Sequence, residues 1–462
     1  MTAPALQPRP APIGRDELIA RYDGRTPRYT SYPTAVQFGP AVDEAAYRSW
    51  LGVLPVEQAV SLYVHVPFCS RICWYCGCNT RATTRAQPVS DYVDWLIAEL
   101  GLVEAALPGK LRARAIHLGG GTPNLLSRDD MTRLFAAIRH VFRLSPGIEI
   151  AAELDPAVLT QAWVKAAAFH GLSRASLGVQ DLSPAVQAAV NRIEPFEVIE
   201  RAVRWLREAD VLSINMDLMY GLPKQTTADV LGTLDAVLTL KPDRLALFGY
   251  AHVPWMKINQ QLIEDEYLPG PAERLDQSEA AAERLVSEGY VQIGLDHFAL
   301  PTDDLAVALA EGRLHRNFQG YTTDASATLI GLGASSIGRL PQGFVQNLTQ
   351  EKAWRDALRE GRLPVARGVV LTDEDRFRGE IIERLMCDLT VDLDRIGARH
   401  GRPPESLDDA VADLAPFVAD GLAQIEARRI TVTPAGRALT RSVCAVFDAH
   451  LDRDAVRHAR AL

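Results

Sequence analysis

Between residues 61 and 250 the chain alternates two hydrophobic periods. Short apolar runs at 61–66, 113–118, 148–154, 173–179, 212–219 and 244–250 read as strands covered on both faces, since such runs bounded by turn residues leave no polar side for solvent. Each is followed by a stretch in which apolar residues recur every three and four positions, the amphipathic helix period. The clearest are 90–106, with Ser90 as the N-cap, and 128–142. Six strands joined by crossover helices predict an α/β fold, a parallel sheet curled into a partial (βα)6 barrel whose functional face is the C-terminal ends of the strands.

Outside that region the pattern changes. Residues 1–13 are rich in proline and alanine without periodicity and predict a loose tail. The stretch from Arg21 to Pro33 mixes arginine and tyrosine with prolines, and reads either as an arm packed on the main domain or as a lid whose side chains reach the active site. A helix at 273–289 precedes a strand-like run ending in Asp296 and His297, residues 314–323 read as a polar loop, and the glycine-spaced run 329–338 predicts close backbone approach to a neighbour or ligand. Beyond about residue 370, helical patterns at 373–388, 393–400 and 407–420 precede a strand-like 425–432 and a last helix opened by Thr433. Three helices and a short hairpin predict a mostly helical, winged-helix-like domain. The expected division is an N-terminal arm or lid at 1–50, the barrel at 51–300, a barrel extension and connecting segment at 301–370, and the C-terminal domain at 371–462.

Length and charge narrow the function. The 462 residues suffice for a large catalytic domain and a smaller one, and 47% hydrophobic with 23% charged content is that of a globular chain. A net charge of −9 argues against nucleic acid or an anionic membrane as a partner, so an anionic substrate requires a local basic pocket. The C-terminal helices show no basic recognition face. There is no 18-residue apolar run and no signal-peptide h-region, so a cytoplasmic protein without a membrane span is expected.

The chemistry concentrates just after the first strand, where four of the six cysteines, Cys69, Cys73, Cys76 and Cys78, are spaced C-x3-C-x2-C-x-C. Three thiolates on one loop can hold three irons of a cubane cluster, leaving the fourth iron open to a ligand. Zinc is the alternative, although its ligands normally come in two well-separated pairs, and a disulfide cluster belongs to small secreted chains. Cys387 and Cys444 lie in helical patterns and read as core residues. Polar residues recur at the following strand ends: Gly119, Gly120, Gly121 and Thr122 after the second, Glu153 in the third, Gln180 with Asn191 and Arg192 after the fourth, and Asn215 with Asp217 in the fifth. Each has a plain reading as a turn or cap, the glycine triplet above all. Together they point to one shared site, and an acid inside an apolar run must find donors.

The ordered set PRYTSYP, YVHVPFCSRICWYCGCN, GGGTPN, AAELDP, SLGVQD, NMDLMYGLPKQT, YAHVPWMK, DHFA and HRNFQGYTT resembles the oxygen-independent coproporphyrinogen III oxidase family of radical S-adenosylmethionine (SAM) enzymes. The resemblance runs from about Arg21 into the C-terminal domain. It implies one 4Fe-4S cluster on Cys69, Cys73 and Cys76, and two SAM molecules. Tyr63, Gly120, Glu153 and Ile337 match contacts of the cluster-bound SAM; Tyr75, Gly121, Thr122, Gln180, Arg192, Asp217 and Ala251 match the second SAM site. Tyr63, Glu153 and Cys78 are the implied catalytic residues, Cys78 not being an iron ligand, since a fourth thiolate would close the open iron. The implied reaction converts two propionates of coproporphyrinogen III to vinyl groups with loss of carbon dioxide, through a 5'-deoxyadenosyl radical, giving protoporphyrinogen IX. It further implies a flavodoxin- or ferredoxin-like electron donor, an electron acceptor and a monomer. Arg21, Arg28 and Lys257 are candidates to bind the substrate carboxylates. Glu194 stands where relatives often have Gln, and Tyr75 where they often have Phe. The related haem chaperones are the alternative, against which Cys78, the PRYTSYP arm and HRNFQGYTT argue.

Overall fold

The computed structural model describes residues 13–452; most of the expected N-terminal tail lies outside them. Helix α1 (Arg15–Tyr22) and α2 (Glu44–Gly52) lead into six βα units: β1 (Ala59–Val66), α3 (Ala86–Ala106), β2 (Arg112–Gly120), α4 (Arg128–Val141), β3 (Arg143–Leu154), α5 (Gln161–His170), β4 (Arg174–Gln180), α6 (Phe196–Glu208), β5 (Ser213–Tyr220), α7 (Thr227–Leu238), β6 (Arg244–Gly249) and α8 (Pro271–Ser287). Hydroxyl caps set several starts: Ser127, Thr160 and Thr226 each accept a backbone N–H of the first turn of α4, α5 and α7. Ser90 does not cap. Helix α3 begins before it at Ala86, and the Ser90 hydroxyl instead donates to Asp130 Oδ1 at 2.7 Å, tying α3 to α4.

Strands β1 to β6 lie side by side in chain order, all parallel. Beyond β6 the sheet continues through the antiparallel hairpin of β7 (Val291–Ile293) and β8 (His297–Ala299), with β8 against β6. At the other edge β9 (Leu329–Leu332) pairs with β1 as a seventh parallel strand, followed by antiparallel β10 (Ile337–Leu340), β11 (Gly343–Asn347) and β12 (Val365–Val370). The twelve strands form a linear order without closure, so the barrel is partial. Residues 329–338 therefore form a strand, a turn and the start of the next strand, and their glycines serve packing. A Cβ on Gly331 would stand 3.0 Å from the Ile337 carbonyl, and Gly333, at φ +95°, would place one 2.6 Å from the His65 oxygen. The predicted loop at 314–323 is a small hairpin of His315–Asn317 and Gly320–Thr322.

The C-terminal region builds its own core around α9 (Asp373–Asp388), the helix Leu393–Arg399 and a three-stranded sheet of Thr390–Asp392, Ala423–Glu426 and Arg429–Val432. The helix expected over 407–420 is broken into Asp408–Ala412 and Ala415–Ala419. Pro416 sits in the first turn of the second piece, where its missing N–H cannot continue the preceding helix. The arm joins this core: Tyr22, Tyr29 and Tyr32 are buried among Phe377, Leu385 and Phe417. Tyr22 and Tyr29 donate to Asp420 at 2.6 Å and Asp448 at 3.0 Å, and Tyr32 Oη accepts from Ala449 N at 2.9 Å. Arg21 pairs with Asp420 at 2.6 Å, which holds it on the C-terminal region.

Candidate functional site

The end of β1 passes directly into the cysteine loop. Phe68–Cys69 pairs in parallel with Arg81–Ala82, pinning both ends of the loop, and Cys76 N donates to Cys73 O at 3.1 Å within it. The loop carbonyls are held from the segment after β6. Asn259 Nδ2 lies 3.3, 3.0 and 2.9 Å from the oxygens of Cys73, Trp74 and Cys76. Gln260 Nε2 donates to Tyr75 O at 2.8 Å and Lys257 Nζ to Cys78 O at 3.3 Å. From the other side Trp74 N donates to Val190 O at 3.0 Å and Asn191 Nδ2 to Ile72 O at 3.0 Å. Asn259 and Gln260 carry no motif, and sequence reasoning missed them; their only signal was closeness to Lys257. Lys257 itself is engaged with the loop.

All six cysteines are free thiols, Cys73, Cys387 and Cys444 buried and Cys78 exposed. The Cys78 thiol donates to Cys76, pulling it down to about 6, while Cys78 rises well above the usual thiol range through that same bond. Burial pushes Cys69 up to about 11. Arg192 Nη1 approaches Cys73 Sγ at 3.6 Å. Among the described residues no three His, Cys, Asp or Glu side chains converge as ligands of one ion do. A cubane does not ask for that, because each thiolate binds a different iron. Three free cysteines on a pinned loop, with a guanidinium beside one sulfur, fit the cluster.

On the β1–β3 side, Tyr63 donates toward His65 Nδ1 at 3.1 Å and stacks on His117, ring centroids 5.8 Å apart. His117 Nε2 lies 3.1 Å from Glu153 Oε1, and Gly120 N donates to Glu153 Oε2 at 2.9 Å. Burial opposes the Glu153 charge, yet His117 and the Gly120 N–H hold its carboxyl below the usual range. The glycine triplet is more than a turn. Gly120 has φ +102° and an added Cβ would lie 2.3 Å from the His65 ring; on Gly121 it would lie 2.6 Å from Phe68 O. Gly121 N and Thr122 N donate to Val66 O and Phe68 O at 2.9 and 2.7 Å, seaming the triplet to the cysteine loop. Ile337, on β10, reaches this side because β9 pairs with β1, Tyr63 lying opposite Gly331.

On the β4–β6 side, Arg192 is the hub. Its Nη2 donates to Gly178 O at 2.6 Å and pairs with Glu194 at 3.1 Å. Burial pushes Glu194 up to about 7 against the pull of Arg192. Asp217 accepts from Ser176 Oγ and Asn215 Nδ2, both at 2.7 Å, and burial raises its pKa. Gln180 reaches toward Asp217 O at 3.4 Å from a backbone with φ 65°. Tyr75 packs with Val186, Val190 and Tyr250, and Ala251 lines a cleft beside Tyr220. Gln180 Oε1, Asn215 Oδ1, Arg192 Nε and Ser70 Oγ are buried without a hydrogen-bond partner. Such atoms are costly unless a polar ligand meets them, which fits an amino-acid and nucleoside ligand at this mouth.

Comparison with known proteins agrees with this geometry. The Radical SAM superfamily profile matches residues 63–237, and the HemN C-terminal domain profile matches 371–439. The oxygen-independent coproporphyrinogen III oxidase of Bradyrhizobium diazoefficiens is 47% identical over 97% of this chain and 100% of its own. That of Paracoccus denitrificans is 43% identical over 96% of this chain and 98% of its own. Among solved structures, coproporphyrinogen III oxidase (HemN) from Escherichia coli, a radical SAM enzyme, superposes with a TM-score of 0.89 at 36% identity, covering 95% of this chain and 100% of its own.

Proposed function

The chain belongs to the oxygen-independent coproporphyrinogen III oxidase family of radical SAM enzymes, and from that premise we propose that its barrel mouth holds one 4Fe-4S cluster and two SAM molecules at separate sets of residues. It is an oxidoreductase that oxidatively decarboxylates propionates of coproporphyrinogen III in haem biosynthesis, using a cluster and SAM. When bound, the reduced cluster and SAM together supply a 5'-deoxyadenosyl radical able to remove hydrogen from a propionate β-carbon. The protein's part is binding, orientation and exclusion of water.

In this reading Cys69, Cys73 and Cys76 ligate the cluster and Cys78 tunes Cys76 without ligating. The observation that supports two SAM sites is the grouping along the sheet. Tyr63, Gly120, Glu153 and Ile337 lie on the contiguous strands β10, β9, β1, β2 and β3; Gln180, Arg192, Asp217 and Ala251 belong to β4, β5, β6 and their loops, with Tyr75 beside Arg192. Gly121 and Thr122 sit at the seam between the two sets. Glu153, kept ionised by His117, is suited to hold hydroxyls or an ammonium of the first SAM. Arg192 presents a charged, partly unpartnered guanidinium to the second, beside Gln180 Oε1. The division into arm, barrel, extension and C-terminal domain belongs to the same proposal, as do a cytoplasmic monomer, a flavodoxin- or ferredoxin-like donor and a separate electron acceptor. No helix among the described residues is long and apolar enough to cross a membrane.

The test is equilibrium binding of labelled SAM to anaerobically reconstituted protein. Two molecules are expected per chain, with Glu153→Gln losing one and Gln180→Ala weakening the other. A stoichiometry of one, or both variants affecting the same molecule, overturns the two-site reading.

A further inference from the structure

Beside the barrel mouth a cleft of about 690 Å³ opens where β5, β6, α8, the arm and the C-terminal region meet. Six arginines line it, Arg25, Arg28, Arg274, Arg316, Arg437 and Arg441, against three carboxylates, Glu279, Glu283 and Asp296. Two of those carboxylates are already engaged: Glu279 pairs with Arg15 outside the cleft, and Asp296 meets His297 Nδ1 at 2.8 Å. Arg28 Nη2 donates to Gly249 O at 2.9 Å, Arg274 stacks on Tyr220 at 5.6 Å, Arg316 stacks on Tyr321 at 4.4 Å, and Arg437 donates to Gln292. None of these four guanidiniums forms an ion pair among the described residues, and the Nε atoms of Arg316 and Arg437 are buried without a partner.

A chain with net charge −9 has gathered six guanidiniums here against three carboxylates, of which only Asp296 acts electrostatically on Arg316 and Arg28. Burial, then repulsion from Arg28, pulls Arg441 down to about 10, and burial likewise lowers Arg274 and Arg437. Such crowding is unfavourable until an anion enters, and the planar fork of arginine matches a carboxylate in bidentate fashion. The lining also offers apolar area, including Leu268 and the half-exposed Trp255 over which Arg25 stacks at 5.0 Å, suited to the flank of a pyrrole ring. The cleft also adjoins the chemistry: Gly249 and Ala251 line it at the end of β6, and the same loop reaches the cysteine carbonyls through Asn259.

We propose that this cleft is the subsite for the two propionates of coproporphyrinogen III that survive in the product, held by Arg28, Arg274 and Arg316, so that the reacting propionates face the barrel mouth. The assignment rests on the substrate named above. It also revises the candidates read from sequence: Arg28 stays, while Arg21 and Lys257 are engaged elsewhere.

The experiment measures fluorescence binding of coproporphyrin III and mesoporphyrin IX to cluster-loaded wild-type protein, Arg28→Gln and Arg274→Gln. Mesoporphyrin IX keeps only the two propionates assigned to the cleft. Each substitution is expected to weaken both porphyrins about 10- to 100-fold, the range for one charge-assisted hydrogen bond, with unchanged cluster absorbance. Wild-type protein is expected to prefer mesoporphyrin IX over its dimethyl ester by a similar factor, a preference reduced in Arg274→Gln; the wild-type comparison stands even if a variant folds poorly. Equal binding by all three proteins, no preference for acid over ester, or weakened coproporphyrin III with unaltered mesoporphyrin IX overturns the subsite. Wild-type protein that cleaves SAM but binds neither porphyrin overturns the substrate reading instead.

Discussion

Asn259 offers the sharpest test of how the cysteine loop is held. Its amide has two hydrogens facing three carbonyls, at 3.3, 3.0 and 2.9 Å, so it supplies about two hydrogen bonds at any moment. The residue is half-buried, and a net worth of about 1 kcal/mol per bond is appropriate. Asn259→Ala therefore loosens the loop by about 2 kcal/mol, or about 30-fold in the equilibrium between ordered and disordered loop. The assay is anaerobic removal of iron by a chelator, followed by absorbance, with SAM cleavage measured in parallel. The expected result is cluster loss about 10- to 100-fold easier than in wild type, with secondary structure unchanged. Asn259→Asp should be worse than Ala, because an acceptor then faces three acceptors. A variant that retains its cluster as firmly as wild type would refute the idea that this side chain orders the loop.

Three further outcomes follow from the packing. Gly121→Ala places a Cβ 2.6 Å from the Phe68 oxygen, so it should displace the start of the cysteine loop and lower cluster content, read as iron per chain. Tyr29, 4% exposed in the C-terminal core, should cost about 3 kcal/mol or more as Tyr29→Ala and about 1 kcal/mol as Tyr29→Phe, read from urea denaturation. Glu99 accepts from Gly333 N, Asn347 and Trp354, and burial pushes it up to about 7. The folded state thus holds the proton more tightly than the unfolded chain, so this group's contribution to stability falls as pH rises from about 4.5 to about 7, by up to about 3 kcal/mol; Glu99→Gln should flatten the denaturation midpoint over that window.

The parallel strands were legible because they are buried on both faces, and a continuous apolar run leaves few alternatives. Helix starts were less so: Ser90 has the chemistry of a cap, but the chain before it is equally helical, and its hydroxyl went to Asp130. Strands β9 to β12 escaped because they are short and glycine-spaced, and because β9 takes its place in the sheet from β1, more than 260 residues upstream. The cysteine spacing and the polar strand ends were legible as a candidate site, since both are local signals. What sequence could not supply was the convergence of distant pieces. Asn259 clamps a loop more than 180 residues upstream, the arm tyrosines belong to the C-terminal core, and Arg28, Arg274 and Arg441 meet in one cleft from three regions of the chain.

The central claim is most directly tested by an anaerobic assay of cluster-reconstituted protein with SAM, a reductant, an electron acceptor and coproporphyrinogen III, following tetrapyrroles and 5'-deoxyadenosine by chromatography. Protoporphyrinogen IX and deoxyadenosine should form together, and both should be lost in Cys69→Ser. Cleavage of SAM by an intact cluster with the four propionates untouched would contradict the account.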